Sequence, residues 1–439
     1  MSFPSLPAEI RLMVYEALAN SPRDINVDPK DRLATYASVC REWQDEFEKK
    51  TFRQLILSPK CIADLDRNVG PRRALVKHIW LHVPLPEYNL DPPRGDRAVP
   101  QRNSKVASKA IFNLFKVLSG WTNDAVTATR SGLTLELSAS SPSDSKRYFK
   151  HHQVDAFPYS EGDNFDENPK ALRLTQKLYD GKRWFAKWPK RIVLYGSLDT
   201  SLFSFAPELP RVKATTRILT RRQFDRSAMH VVDPRILARL PMLQQMQVEY
   251  WRFPALPHFV GKIKRLEQEC DQAMARLFAL HLPFMVRSLS LFEDNQDYYE
   301  KEPYGMSQRV SNPVLARMIS ICSHQLVTLA VSFIIDARHY FIPFRPRPSV
   351  PWGMRIPVFP ILESIALSSA VFCPSADLKE IKDLMNADRN AAAEMPKLKT
   401  LELWNDEPGK QPYSATTGQR NLWLPSLGSR PGIFHCIRK

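Results

Sequence analysis

Pro360-Ile361-Leu362-Glu363-Ser364-Ile365-Ala366-Leu367 is the stretch that decides the fold. The proline pushes the residue before it into an extended conformation, Leu362 follows two positions on, and Ile365 and Leu367 alternate with Ser364 and Ala366 as the two faces of a strand require. The phrase returns at Pro241-Met242-Leu243-Gln244-Gln245-Met246-Gln247-Val248 and again at 396–403. Looser copies without the proline start at Val286 and Leu326, and 76–81 and Leu133, Leu135 and Leu137 carry the same alternation. Between the first apolar positions Leu243, Val286, Leu326, Leu362 and Leu398 the steps are 43, 40, 36 and 36 residues. A near-constant step signals stacked units. From Leu57 to Leu81 the step is 24 residues, a more compact unit of the same kind.

Helix-like segments fill the gaps. Ile263, Leu266, Cys270, Met274, Leu277 and Phe278 recur at helical spacing, as do Ile111, Phe112, Phe115 and Leu118 and the segments 314–322 and 378–385. Each unit therefore reads as strand, turn, helix, and the expected class is α/β. Units that cannot bury their apolar faces alone stack, with parallel strands lining one side and helices covering the other. Proline- and arginine-rich 88–103, small and polar 138–145, and 345–351 read as surface insertions. From 405 to 439 the apolar periodicity fades, so that segment is expected to be a poorly ordered tail.

The first fifty residues follow another pattern. Leu6-Pro7-Ala8-Glu9-Ile10 opens a helix: Pro7 suits a first turn, and Glu9 complements its positive end. Ile10, Val14 and Leu18 recur every four residues, and after Val39-Cys40-Arg41-Glu42-Trp43 the spacing repeats through Val39, Trp43 and Phe47. The intervening 20–31, with Pro22 and Pro29, reads as a long connection.

L-P-x-E-I followed by V-C-R-x-W resembles an F-box, and with the later repeats the chain is similar to F-box proteins of filamentous fungi that carry a degenerate leucine-rich-repeat-like region. The resemblance spans 6 to about 404. It departs from leucine-rich repeats in lacking the asparagine that normally closes each strand turn. It implies an F-box at 1–53, a leucine-rich-repeat-like solenoid at 54–404 and the tail at 405–439. It also implies a non-catalytic substrate-recognition subunit of a Skp–cullin–F-box ubiquitin ligase. Leu6, Pro7, Ile10, Val14, Leu18, Val39 and Trp43 would form or support the surface that docks on the Skp-type adaptor, and through it a cullin. The alternatives are an adaptor-bound scaffold outside ubiquitination and a basic nucleic-acid-binding solenoid.

Strand alternation locates a target site. If Ile79, Leu81, Met246, Val248, Leu289, Leu291, Leu401 and Leu403 face the core, then Trp80, Glu249, Phe292, Glu402 and Trp404 face the other way, with Trp251 one step further along its strand. Large aromatics flanked by charge are the usual anchors of protein recognition.

Composition narrows the remaining classes. The chain has 439 residues and a formal charge of +16, and its densest basic group is Arg217, Arg221, Arg222 and Arg226, with a second between 182 and 191. No zinc-finger, basic-zipper or RNA-recognition signature accompanies them, so an acidic or phosphorylated protein segment is a more natural ligand than a duplex. Cys40, Cys61, Cys270, Cys322, Cys373 and Cys436 are scattered, which fits reduced thiols in the cytoplasm or nucleus. The longest apolar run, 326–335, is too short to span a membrane. With 14 glycines and no phosphate-cradling motif, an adjacent His151-His152 without zinc-ligand spacing, and Cys322 and His324 at the end of an apolar helix, no cofactor, metal or catalytic group is expected.

Overall fold

In a computed structural model, residues 3–20, 29–87, 98–121, 132–142, 203–221, 233–251, 260–294, 311–345, 358–372, 377–405 and 433–437 are described. Three helices lead: α1 (Ala8–Asn20), α2 (Pro29–Ala37) and α3 (Arg41–Arg53). The expected connection at 20–31 thus ends in a helix of its own, begun by Pro29, whose fixed φ suits a first helical position. Leu6 N–H and Arg11 N–H close on Phe3 and Pro7 carbonyls, so the chain turns into α1 where Pro7 predicts it.

Helix α3 runs without a break into β1 (Gln54–Leu57). Then come α4 (Ile62–Val69), β2 (His78–Pro84), α5 (Ala98–Leu118), β3 (Leu133–Ser140), β4 (Thr215–Thr220), α6 (Pro234–Leu237), β5 (Gln245–Trp251), α7 (Val260–Leu280) and β6 (Ser288–Asp294). After these follow α8 (Pro313–Cys322), β7 (Thr328–Ser332), α9 (Ala337–Tyr340), β8 (Ser364–Ser368), α10 (Leu378–Ala393), β9 (Thr400–Trp404) and β10 (Ile433–Ile437).

The strands form one open sheet in sequence order, with β1 to β9 parallel and β10 antiparallel to β9. Within the expected tail, then, 433–437 covers the outer edge of β9, while 406–432 lies outside the described residues. Parallel neighbours require crossovers, and described helices supply them between every parallel pair but β3 and β4. Asp233, Asn312, Asp336 and Asp377 start α6, α8, α9 and α10 by accepting a backbone N–H two residues on, with Pro234 and Pro313 at the first helical position. Each such cap is worth about 1 kcal/mol.

The repeated phrase has one backbone geometry. The N–H of Leu243, Val286, Leu326 and Leu398 each closes a turn on the carbonyl three residues back. One residue after that position, Gln244 accepts two N–H groups from Arg287 and Ser288, and Arg287, Val327 and Glu363 do the same for the next unit along. The pairing then places Leu289, Leu329, Ile365 and Leu401 abreast. These side chains enter one continuous core with Leu114, Ile319 and Leu384 of the helices. The leucine face of the sheet is therefore the helix-covered face, and the alternate positions form an open face.

Candidate functional site

Two surfaces are left for function: the outside of the N-terminal helices and the open face of the sheet.

The N-terminal helices hold together through rings. Trp43 lies 5.4 Å from Phe3, 5.5 Å from Tyr15, 6.2 Å from Tyr36 and 5.6 Å from Phe47, and Phe47 is fully buried. Arg11 of α1 pairs with Glu42 of α3, and burial pushes the Tyr15 phenol up to about 12. Trp43 is thus occupied inside. Ile10, Leu12 and Met13 of α1 stay 43%, 49% and 64% exposed, and Val39, in the turn before α3, 60%. Pro7 is exposed as well, whereas Leu6, Val14 and Leu18 are half-buried. The resemblance-derived set divides accordingly: Pro7, Ile10 and Val39 face outward, Trp43 supports them from within, and Met13 joins the outward group.

On the open face, β2 to β4 build a packed ionic network. Glu136 Oε2 accepts a hydrogen bond of 2.6 Å from Arg221 and lies 2.8 Å from His78 Nε2, with both members of the Arg–Glu pair almost fully buried. The Arg221 guanidinium also sits 6.0 Å from the centre of the Trp80 ring. Trp80 donates its indole N–H to Ser138 Oγ at 2.7 Å, which leaves that hydroxyl to donate to His82 Nδ1 at 2.9 Å. His82 Nε2 then donates to Ser140 Oγ at 3.0 Å, a pattern assigned from the network that needs neutral His82. Burial pushes the His82 pKa down, in agreement. Arg217 donates to Gln247 at 2.6 Å, and Gln247 to Glu249 at 2.9 Å. Burial lowers the Arg217 pKa.

Two sequence-derived expectations change here. Trp80 does lie on the face away from the leucines, but it is only 2% exposed, with Ser138 of β3 and Arg221, just past β4, against it. It cannot anchor a target from there. In the basic group, Arg217 and Arg221 are spent within the sheet, and Arg222 and Arg226 lie outside the described residues.

From β6 to β9 the same face looks different. Phe292, Phe333 and Trp404 form a ridge, with ring centroids 5.8 Å apart for the first pair and 5.0 Å for the second, both edge-on. Phe333 spans the gap because its φ of 64° swings it out of the strand direction at the end of β7, where its N–H donates to Ser368 Oγ at 2.6 Å. Buried Ser332 and Ser368 leave the room above them that the ring fills. Two positions earlier on the strands, Ser290, Ala330 and Ala366 make a low shelf beside the ridge that ends at Glu402, directly opposite Ala366. Glu249, directly opposite Phe292, is buried, and Glu402 and Trp404 are half-buried. Trp251 lies in β5 across from Asp294. Phe333 is the residue that sequence reasoning missed; it breaks the alternation, and only its neighbourhood on β7 could have drawn notice.

The remaining candidates do not assemble. Burial pushes the Cys322 thiol up to about 12, and its S–H donates to the Ile319 carbonyl, while exposed His324 turns to the Ile321 carbonyl. His151 and His152 lie outside the described residues. Among the described residues no helix is long and apolar enough to cross a membrane.

No curated protein and no solved structure matches the chain. Residues 281–415, which hold β6 to β9 and the whole aromatic ridge, are similar to a family of unknown function, DUF6546.

Proposed function

We propose that this chain is the substrate-recognition subunit of a Skp–cullin–F-box ubiquitin ligase, with α1 to α3 as the F-box and the parallel sheet with its helices as a leucine-rich-repeat-like solenoid. The observation that carries the reading is the outward apolar group Ile10, Met13 and Val39 on a helical unit whose own rings are already packed. A small helical unit with its core filled gains nothing from further exposed apolar side chains unless a partner covers them. A Skp-type adaptor is the partner that the sequence pattern names. Because α3 continues into β1 and its Glu48 pairs with Arg72 just before β2, a partner on the helices would lie close to the first strands of the sheet. The chain would raise rate by holding a target near the conjugating enzyme, that is, through effective concentration. No chemical group on this chain takes part. Engagement of Arg217 and Arg221 inside the sheet favours this reading over direct nucleic-acid binding.

The test replaces Ile10 and Val39 together by aspartate. Both side chains are exposed, so the fold should survive and capture of a purified Skp-type adaptor should drop at least 100-fold. Retained capture by the doubly substituted chain removes the F-box reading. Recovery of adaptor without cullin from cells would favour the scaffold alternative.

A further inference from the structure

Every open-face strand position described from β5 to β9 lacks a lysine or arginine, although the chain holds 62 basic and 46 acidic residues. The charges that are there, Glu249, Asp294 and Glu402, are acidic, and two of them flank the aromatic ridge: Glu249 opposite Phe292, Glu402 two residues before Trp404 on the same face. On β2 to β4, by contrast, Arg217 and Arg221 share the face with His78 and His82. The molecule as a whole is a cation. This shelf is locally an anion with aromatic walls.

We propose that the shelf formed by Ser290, Ala330 and Ala366 under Phe292, Phe333 and Trp404 binds an extended protein segment through an arginine side chain. The guanidinium would lie against the ridge with its charge toward Glu402. The chemistry selects the occupant in three steps. Aromatic faces attract cations within about 6 Å, arginine more often than lysine, and a planar guanidinium stacks where an ammonium cannot. A carboxylate beside the rings completes a charge-assisted pair. Small shelf side chains let an extended backbone approach the sheet, with the Ser288 and Thr328 hydroxyls, 2.6 Å apart, along the far side.

The inference names the target class for the recognition function proposed above and rests on that reading, but its chemistry is tested separately. The full-length chain is used to select from displayed randomised octapeptides at physiological salt. The net charge of +16 biases any non-specific capture toward acidic peptides, so arginine enrichment has to come from a local site. Arginine enrichment is the expected result, falling at least fivefold for Glu402→Gln and for Trp404→Ala. Ala366→Arg, which sets a resident guanidinium across from Glu402, should abolish it even if Trp404→Ala perturbs folding. Enrichment of acidic peptides, or no bias, overturns the proposal, as does an arginine preference that Glu402→Gln and Ala366→Arg leave unchanged. Adaptor capture is measured on the same proteins. Lost capture with intact arginine selection defeats the ligase reading alone, and the reverse pattern defeats this inference alone.

Discussion

On β2 to β4 the open face is closed by its own side chains, whereas on β6 to β9 it carries aromatic relief over a floor of serine and alanine. Both stretches have the same strand geometry and the same leucine core behind them. The difference lies in side-chain size and charge at the outward positions. Arg221 donates to Glu136, Trp80 to Ser138 and Arg217 to Gln247 across neighbouring strands, and the Arg221 guanidinium lies 6.0 Å from the centre of the Trp80 ring. Ser290, Ala330 and Ala366 are too short to do so, which leaves that part of the surface to Phe333. One scaffold thus carries a half filled by large charged and aromatic side chains and a half floored by small ones.

The sharpest way to break this comparison is to remove Glu136. If the β2–β4 half is a structural clamp, Glu136→Ala strips buried Arg221 of its carboxylate and costs about 3–5 kcal/mol. Replacing both partners by apolar side chains, Glu136→Leu with Arg221→Met, should recover most of that loss, since a well-packed apolar pair of similar volume is often neutral. Urea midpoints at pH 7 provide the measurement. A single substitution costing under about 1 kcal/mol, the level of an exposed pair, would show that this half is not held by the network.

How legible this was depended on the distance over which a residue's surroundings are set. The strand phrase is local, so the alternation at Ile365 and Leu367 and the turn before it could be read directly. The outward direction of Trp80 and Trp404 followed from the same alternation. Burial of Trp80 did not follow, because Ser138 and Arg221, which lie against it, are 58 or more residues away in sequence. Helix α2 was missed because Lys30, Asp31 and Arg32 hide its short apolar face. Asp233-Pro234 and Asn312-Pro313 are legible as helix starts, because a capping side chain followed by proline is a local signal. Phe333 was out of reach: a left-handed φ on a phenylalanine is written in tertiary packing, not in residue type.

A second buried carboxylate sharpens the contrast from behind the open half. Asp388 on α10 is 3% exposed, and its Oδ2 has no hydrogen-bond partner among the described residues; burial raises its pKa to about 7. Glu136 accepts from Arg221, whereas no ion pair to Asp388 forms among the described residues, so substitution should act with the opposite sign. The folded-state pKa lies above the unfolded value of 3.8, so the folded protein holds the proton more tightly and stability falls as pH rises from about 4 to 7. Above that window the penalty is complete. Asp388→Asn should therefore stabilise the protein by about 2 kcal/mol at pH 8, and the advantage should vanish near pH 4. Urea midpoints of both proteins across that range decide it, and a pH-independent difference would assign Asp388 another role.

The smallest effect tests the ridge. At φ 64° Phe333 occupies a left-handed conformation that costs a residue with a Cβ about 1–2 kcal/mol, while glycine adopts it freely. Its two edge-on ring pairs, with Phe292 and Trp404, return about 0.5–1.5 kcal/mol each. Phe333→Ala keeps the strained backbone and loses both pairs, so it should destabilise by about 1–2 kcal/mol. Phe333→Gly loses the pairs but relieves the strain, at about 0.5–1 kcal/mol of extra chain entropy, so it should stay within about 1 kcal/mol of the parent. Glycine would then be at least as well tolerated as alanine, the reverse of the usual order within a sheet. Thermal midpoints compare the two, and a glycine variant clearly less stable than the alanine one would mean that the backbone at 333 is not strained. The ridge would then be a product of ring packing alone.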